Sequence, residues 1–216
     1  MAIYHFSLRH ITRKAGRSAT AAAAYRNASR IHDERTGVPH DYRRKRGNLH
    51  SEILAPARAP EWAKESASLW NAVENFEKRK DARLVREINV ALPHELTLEQ
   101  NRELLRAYVE EHFIKRGMAA QIDIHAPDRK GDNRNIHAHV MLTTRQITRN
   151  GFKEQKPRNW NDKATLQQWR EGWADHMNRA LEQAKVKERV DHRSYEAREI
   201  DQQPTRHLGV EANQME

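Results

Sequence analysis

The segment NIHAHVML, residues 135–142, sets two histidines one residue apart in an otherwise apolar run. Side chains alternate along an extended strand, so His137 and His139 share one face while Ile136, Ala138, Val140 and Leu142 take the other. Upstream, AAQIDIHAPD alternates in the same way, with Ile122 and Ile124 on one side and Gln121, Asp123 and His125 on the other. Between these runs lies APDRKGDNRN, rich in the Asp, Asn, Gly and Pro that make turns. A hairpin closed through it brings His125, at the end of one strand, beside His137 and His139 at the start of the next. Three imidazoles then converge on one polar patch. The chain contains no cysteine, so thiolate metal sites, disulfides and cysteine nucleophiles are excluded, and any metal is held by His, Asp or Glu.

The remaining elements place this hairpin in a sheet. IYHFSL (3–8) reads as a short strand, and Ser18 is an N-cap for the alanine-rich helix ATAAAAYRNASRIH (19–32), which contains Tyr25. Residues 38–60 read as irregular, with a short strand at SEIL. EWAKESASLWNAVENFEKRK (61–80) carries Trp62, Leu69, Trp70, Val73 and Phe76 near helical spacing, which makes these tryptophans core residues rather than stacking platforms. LVREINVALP (84–93) is a strand stopped by Pro93, with Glu87 on its more polar side. TLEQ (97–100) has the form of a capping box and opens a helix that Gly117 closes. DKATLQQWREGWADHMNRALEQAKV (162–186) is a last amphipathic helix.

The order strand, helix, helix, strand, helix, strand, strand, helix does not alternate as a doubly wound parallel sheet does. It predicts an α+β fold, an antiparallel sheet with helices packed mainly on one face. The other face is left for His5, Glu87, His125, His137 and His139. Residues 1–190 are expected to form one domain, and 191–216 a polar C-terminal segment able to lead into further domains where the protein is longer.

Charge narrows the class of partner. With 39 Lys and Arg against 30 Asp and Glu, the formal charge is +9, which favours an anionic polymer and above all nucleic acid. Basic residues cluster in RHITRKAGR (9–17), DYRRKRGN (41–48) and TRQITRNGFKEQKPR (144–158), segments that otherwise read as loops or element ends. Arg43, Arg44 and Lys45 are candidate contacts to a DNA backbone. The start of the chain lacks the apolar core of a signal peptide, and no run approaches the roughly 20 apolar residues of a membrane span, so a cytoplasmic protein without membrane insertion is expected.

An HxH pair also occurs in amidohydrolases and other zinc hydrolases, and spacing alone does not separate these classes; the HExxH helix of zinc peptidases is absent. Several ordered segments do separate them. MAIYHF, RSATAAAAY ending at Tyr25, REINVALPHELT (86–97) and IHAPDRKGDNRNIHAHVML (124–142), with ADHMNRALEQA and VDHRSYEAREIDQQPTRHLG toward the end, resemble the MobA/MobL family of plasmid relaxases, the MOBQ group of HUH endonucleases. The resemblance implies a strand transferase acting at a plasmid origin of transfer. Tyr25 matches the family nucleophile, forming a 5′-phosphotyrosine link and a free 3′-hydroxyl. Reversal reseals the strand without ATP, because the covalent link keeps the energy of the phosphodiester. His125, His137 and His139 would hold one divalent cation, Mg, Mn or another transition metal. A phenol in water has a pKa of about 10, so attack at neutral pH needs a base or a stabilising charge. Glu87 is the candidate for accepting a proton or orienting a metal histidine, and a salt bridge with Arg86 or another arginine fits the sequence nearly as well.

The implied partners are single-stranded or locally melted origin-of-transfer DNA, relaxosome accessory proteins and a type IV secretion coupling protein, with passage into a recipient cell while linked to DNA. Two rival readings remain at this level, a rolling-circle replication initiator of the HUH type and a catalytically silent single-stranded DNA-binding protein.

Overall fold

The computed structural model describes residues 4–127 and 134–201. In chain order its elements are β1 (Phe6–Thr12), α1 (Ala19–Arg26), β2 (Arg30–His32), β3 (Pro39–Asp41), β4 (Asn48–Leu54), α2 (Ser66–Phe76), β5 (Arg83–Ala91), α3 (Leu98–His112), β6 (Ala120–His125), β7 (His137–Thr143), β8 (Ile147–Thr148), β9 (Gly151–Phe152) and α4 (Lys163–Gln183). Five strands make one sheet in the order β1-β5-β7-β6-β4, and every neighbouring pair is antiparallel. β2 with β3 and β8 with β9 form two small hairpins outside it. The α+β antiparallel architecture expected from the element order is the one observed.

One face of the sheet is apolar along most of its length. Ile88 and Val90, Ile122 and Ile124, and Val140 and Leu142 pack there with Leu105 and Tyr108 of α3, Phe113 just beyond its end, and Trp169 and Trp173 of α4. The other face is divided. At one end Ile11, Val85 and Met141 pack against Ala23 and Ala24 of α1 and Leu69, Trp70 and Val73 of α2; at the other end lie the histidines. The two longer helices thus share the face expected to carry helices, and the two shorter ones add cover to part of the histidine face. Alanine explains how α1 fits: its small side chains let the helix backbone approach the sheet closely without filling the space the site needs.

Several boundaries differ from the sequence reading. β1 runs on to Thr12 because its basic residues ladder with β5, so residues 9–12 are strand rather than loop. α1 stops at Arg26 instead of reaching residue 32, since Asn27 leaves the helix and Ala28 takes a left-handed conformation with φ 53°, after which the chain enters the β2–β3 hairpin. The stretch read as irregular contains a full seven-residue strand, β4. It lies at the sheet edge and carries polar residues, so it lacks the apolar run that announces a central strand. Residues 61–80 split into a 3-10 turn (Glu61–Lys64) and α2, where the Glu65 carboxylate accepts from the N–H groups of Ala67 and Ser68. Trp70 is fully buried as expected, whereas Trp62 is half-buried against Phe152. The Thr97 capping box forms, and after α3 a 3-10 turn ends at Gly117 with φ 93°. The middle of the β6–β7 connection and most of the 191–216 segment lie outside the described residues.

Glu74 of α2 holds α1 in position. Its buried carboxylate accepts from the Ala19 N–H at 2.7 Å, in the first turn of α1, and pairs with Arg13 at 2.6 Å and Arg35 at 3.2 Å. Ser18 caps the same helix end, accepting from Ala21 N–H at 3.0 Å. Replacing Glu74 with Ala removes the carboxylate partner of two guanidinium groups and one helix N–H together. Urea denaturation of Glu74→Ala should show a loss of about 3 kcal/mol, the scale expected when one partner of a buried charged network is removed.

Candidate functional site

The β6–β7 register places His125 directly opposite His137, and His139 opposite Asp123 on one side and Asn89 on the other. The three imidazole centroids are 5.1–5.5 Å apart. One ring nitrogen from each lies within 4.8 Å of the others. The remaining contacts sort the nitrogens. His125 Nε2 meets the Arg26 carbonyl at 2.7 Å, His137 Nδ1 the Asn135 carbonyl at 3.2 Å, and His139 Nδ1 a Glu87 carboxylate oxygen at 3.1 Å. Each of these nitrogens carries the N–H, because its partner only accepts. The other nitrogen of every ring is left with a lone pair. One ring nitrogen from each of three imidazoles, close together in a half-buried site, could hold a divalent cation, and the three acceptors bonded to the rings would set their orientation.

Burial favours the neutral form of His125 and His139, the form that ligates metal. Burial pushes His125 down to about 4, with the positive charge of Lys45 and the other imidazoles adding to the effect while the Arg26 carbonyl opposes it. His139 is lowered for the same primary reason, against the pull of its bond to Glu87.

Arg26 joins this cluster to α1. Its carbonyl accepts from His125 and from Asn48 Nδ2 at 2.8 Å, and its Nε donates to Glu87 at 2.7 Å. Burial alone would raise the Glu87 carboxyl, but the bonds from His139 and Arg26 and the Arg26 charge outweigh it and hold the group at about 2. Arg86 is not its partner: that side chain lies on the opposite face, over Trp169 and bonded to Asn161.

Tyr25 immediately precedes Arg26 and is 44% exposed. Lys45 Nζ stands 4.4 Å from its ring centroid and the Arg26 guanidinium 5.3 Å, with Tyr42 edge-on at 5.2 Å. Tyr4 and Tyr108 are engaged elsewhere. Tyr4 donates to the Arg170 carbonyl and is pushed up to about 12 by burial, and the fully buried Tyr108 donates to the Trp169 carbonyl. A cleft of about 680 Å³ opens beside Tyr25, Arg26 and Glu87, and Arg9, Arg13, Arg17 and Arg35 line it as well. Of the three basic residues singled out in the sequence, Lys45 lies over Tyr25, Arg44 is exposed, and Arg43 is paired with Asp41 at 2.7 Å. His5 is exposed just ahead of β1, its carbonyl accepting from Ala91 N–H; it is not among the three clustered rings.

Three residues of the site went unmarked in the sequence. Asp123, beside His139, accepts from Ser51 at 2.7 Å and Gln121 at 2.8 Å, and burial raises its carboxyl to about 6. Gln121 in turn accepts from Trp70 Nε1 at 2.7 Å and Ser66 at 2.6 Å, tying α2 to the histidine row. Both alternate in phase with His125, which was their available signal. Arg26 had none, because its role depends on where α1 ends.

The MobA/MobL family model matches residues 17–216. The chain belongs to the MobA/MobL family. A probable conjugal transfer protein TraA of Sinorhizobium fredii (strain NBRC 101917 / NGR234) is 40% identical over 240 residues, covering 97% of this chain and 21% of that protein. The mobilization protein MobL of Acidithiobacillus ferridurans is 40% identical over 241 residues, covering 98% of this chain and 63% of its own length. The chain therefore spans less than two thirds of these curated relatives. Among solved structures, one described as the molecular basis of vancomycin resistance transfer in Staphylococcus aureus superposes with a TM-score of 0.82 at 34% identity, over 90% of this chain and all of that one. A MobM relaxase domain (MOBV) bound to plasmid oriT DNA, with manganese, matches at a TM-score of 0.50 and 14% identity over 99% of each chain, a likeness of fold.

The Glu87 contacts carry a pH signature. An unfolded glutamate titrates near 4.5 and the folded one at about 2, so the stabilisation is complete above the higher value and lost as pH falls between them. In metal-free protein, the urea midpoint of wild type should drop across this window, and Glu87→Gln should flatten that part of the profile while being less stable at neutral pH.

Proposed function

We propose that this chain is the relaxase domain of a mobilisation protein, nicking and rejoining one strand of plasmid oriT DNA through Tyr25. The observation that carries this reading is the linkage of an exposed tyrosine to the three-histidine cluster through a single residue, Arg26, whose carbonyl holds His125 and whose side chain holds Glu87. Family membership supports it, and so does the shared fold with a relaxase domain bound to oriT DNA and manganese.

In this reading the Tyr25 oxygen attacks the scissile phosphorus, the bond to the 3′ oxygen breaks, and the protein is left on the 5′ phosphate. The phenolic proton leaves to water in the open cleft, and the departing 3′ oxygen takes up a proton to become a hydroxyl. Lys45 and Arg26, both close to the ring, stabilise the phenolate that makes the attack. Glu87, held as a carboxylate, orients His139 rather than accepting the proton, because a group with a pKa of about 2 is too weak a base for that work. His125, His137 and His139 would hold a divalent cation, which would supply Lewis-acid polarisation of a phosphoryl oxygen, and manganese is the ion suggested by the MobM structure. Arg9 and Arg17 offer the cleft wall that receives the DNA backbone, while Arg13 and Arg35 beside them are paired with Glu74. Among the described residues no helix is long and apolar enough to cross a membrane.

Tyr25→Phe should fold, bind metal and bind single-stranded oriT DNA, but leave no covalent adduct on a denaturing gel. Peptide mapping of the wild-type adduct should place the nucleotide on Tyr25. An adduct on neighbouring Tyr42, or undiminished cleavage by Tyr25→Phe, would show the assignment to be wrong. His137→Ala with His139→Ala should lose metal binding at this cluster and cleavage together. No adduct from wild type on any origin strand would favour a silent DNA-binding protein.

Charge reversal at Arg44 and Lys45 should weaken single-strand binding and reduce the dependence of log affinity on log salt by about 1.4, at roughly 0.7 for each phosphate no longer neutralised. Arg43→Ala should change the slope least of the three, since Asp41 already neutralises Arg43. An unchanged slope in the Arg44/Lys45 variant would put this loop outside the interface.

A further inference from the structure

On the opposite face of the sheet, the end of α3 and the middle of α4 bring together a second group of metal-ligand type, Glu111, His112 and His176, with one donor atom from each within 4.8 Å of the others. His176 is only 6% exposed, and its two nitrogens face different partners. Nδ1 lies 2.8 Å from the Gly172 carbonyl one turn back, and Nε2 lies 3.3 Å from a Glu111 carboxylate oxygen. A carbonyl only accepts, so Nδ1 carries the N–H and Nε2 is the nitrogen turned toward the carboxylate, placed to share a cation with it. The other tautomer, with Nδ1 accepting from Arg179 at 3.1 Å, sets a lone pair against the Gly172 carbonyl at the shorter distance of 2.8 Å.

His112 adds an independent observation. Its Nε2 is buried without a hydrogen-bond partner, and its ring centroid is 5.5 Å from that of His176. The ring lies so close against α4 that a Cβ on Gly172 would come within 2.4–2.5 Å of it. Glycine at position 172 is thus what lets this imidazole sit there. A ring packed into a glycine notch with its buried nitrogen unpartnered, facing a second imidazole and a carboxylate, is a set of donors waiting for an acceptor.

We propose that Glu111, His112 and His176 form a second divalent-metal site, of the two-imidazole, one-carboxylate type that suits Zn²⁺, clamping the end of α3 to α4. Two nitrogens and one carboxylate oxygen match the ligand preferences of zinc, with an exposed side open to water as the fourth ligand. The site is separate from the histidine cluster on β6 and β7, since it lies behind the α3–α4 face of the sheet, and the two are tested separately.

The double variant His137→Ala, His139→Ala isolates the new site. After removal of metal with a chelator, this protein should bind one equivalent of Zn²⁺ by titration calorimetry, melt at a higher temperature when loaded, and give visible absorption bands of a low-coordinate site with Co²⁺. Adding Glu111→Gln or His176→Gln should weaken Zn²⁺ binding about tenfold or more, and both the melting shift and the Co²⁺ bands should disappear. Glu111 is 52% exposed, so its substitution keeps the test valid if His176→Gln does not fold. If the double variant binds no Zn²⁺, the contacts are those of an ordinary His176–Glu111 ion pair and the proposal is overturned. Binding that persists unchanged in the triple variants overturns it too. Failure of the β6–β7 cluster would look different: wild type would bind a single equivalent that survives the His137 and His139 substitutions.

Discussion

His125 stands across the β6–β7 ladder from His137, and the site is built on that register. Because side chains along a strand alternate, a slip of one residue would send His137 and His139 into the apolar face and expose Val140 and Leu142 in their place. The slip is prevented by burial: Ile122, Ile124, Val140 and Leu142 are fixed in the core against α3 and α4, so the intervening residues have no choice but to face the other way. The same packing that stabilises the sheet therefore aims the imidazoles. The position of β7 between β5 and β6 adds a further consequence, since it lets residues from both neighbours reach the histidines, Glu87 from one side and His125 from the other.

Polar groups at the centre of a sheet are costly unless each finds a partner. Here they form connected chains. Trp70 and Ser66 of α2 donate to Gln121, Gln121 and Ser51 donate to Asp123, and on the other side Arg26 and His139 converge on Glu87. These chains anchor both shorter helices to the polar half of the sheet. The opposite displacements of the two carboxyls, Asp123 raised to about 6 and Glu87 lowered to about 2, follow from their partners. Neutral donors compensate Asp123 incompletely for burial, while Glu87 receives a guanidinium.

The exposed position of Tyr25 follows from the face of α1 it occupies. Ala23 and Ala24 face the sheet, Tyr25 lies on the exposed side of the last turn, and Arg26, the final residue of the helix, reaches inward to Glu87. Lys45 reaches the ring from the segment between β3 and β4, so cations approach it from two parts of the chain distant in sequence. The excess of basic residues noted in the composition is thus not uniformly available to an anion. Arg13 and Arg43 are paired with Glu74 and Asp41, and Arg86 is buried on the far side.

The alternating pattern of residues 119–142 determined by itself that two strands would pair with three histidines on one face, because period-two alternation is a local property of extended backbone. The capping box of α3 and the apolar stripe of α4 were legible for the same reason. The choice of Tyr25 as candidate nucleophile came from the resemblance of ordered motifs, since nothing local separates an exposed tyrosine from a buried one in an alanine-rich helix. The tertiary structure alone decided the rest. It ended α1 at Arg26, made β4 a full edge strand, put α1 and α2 on the histidine face, gave Glu87 to Arg26 and His139 instead of Arg86, and set His112 against Gly172. Each of these depends on groups tens of residues apart competing for the same space or the same hydrogen bond, and that competition is resolved only when the sheet brings them together.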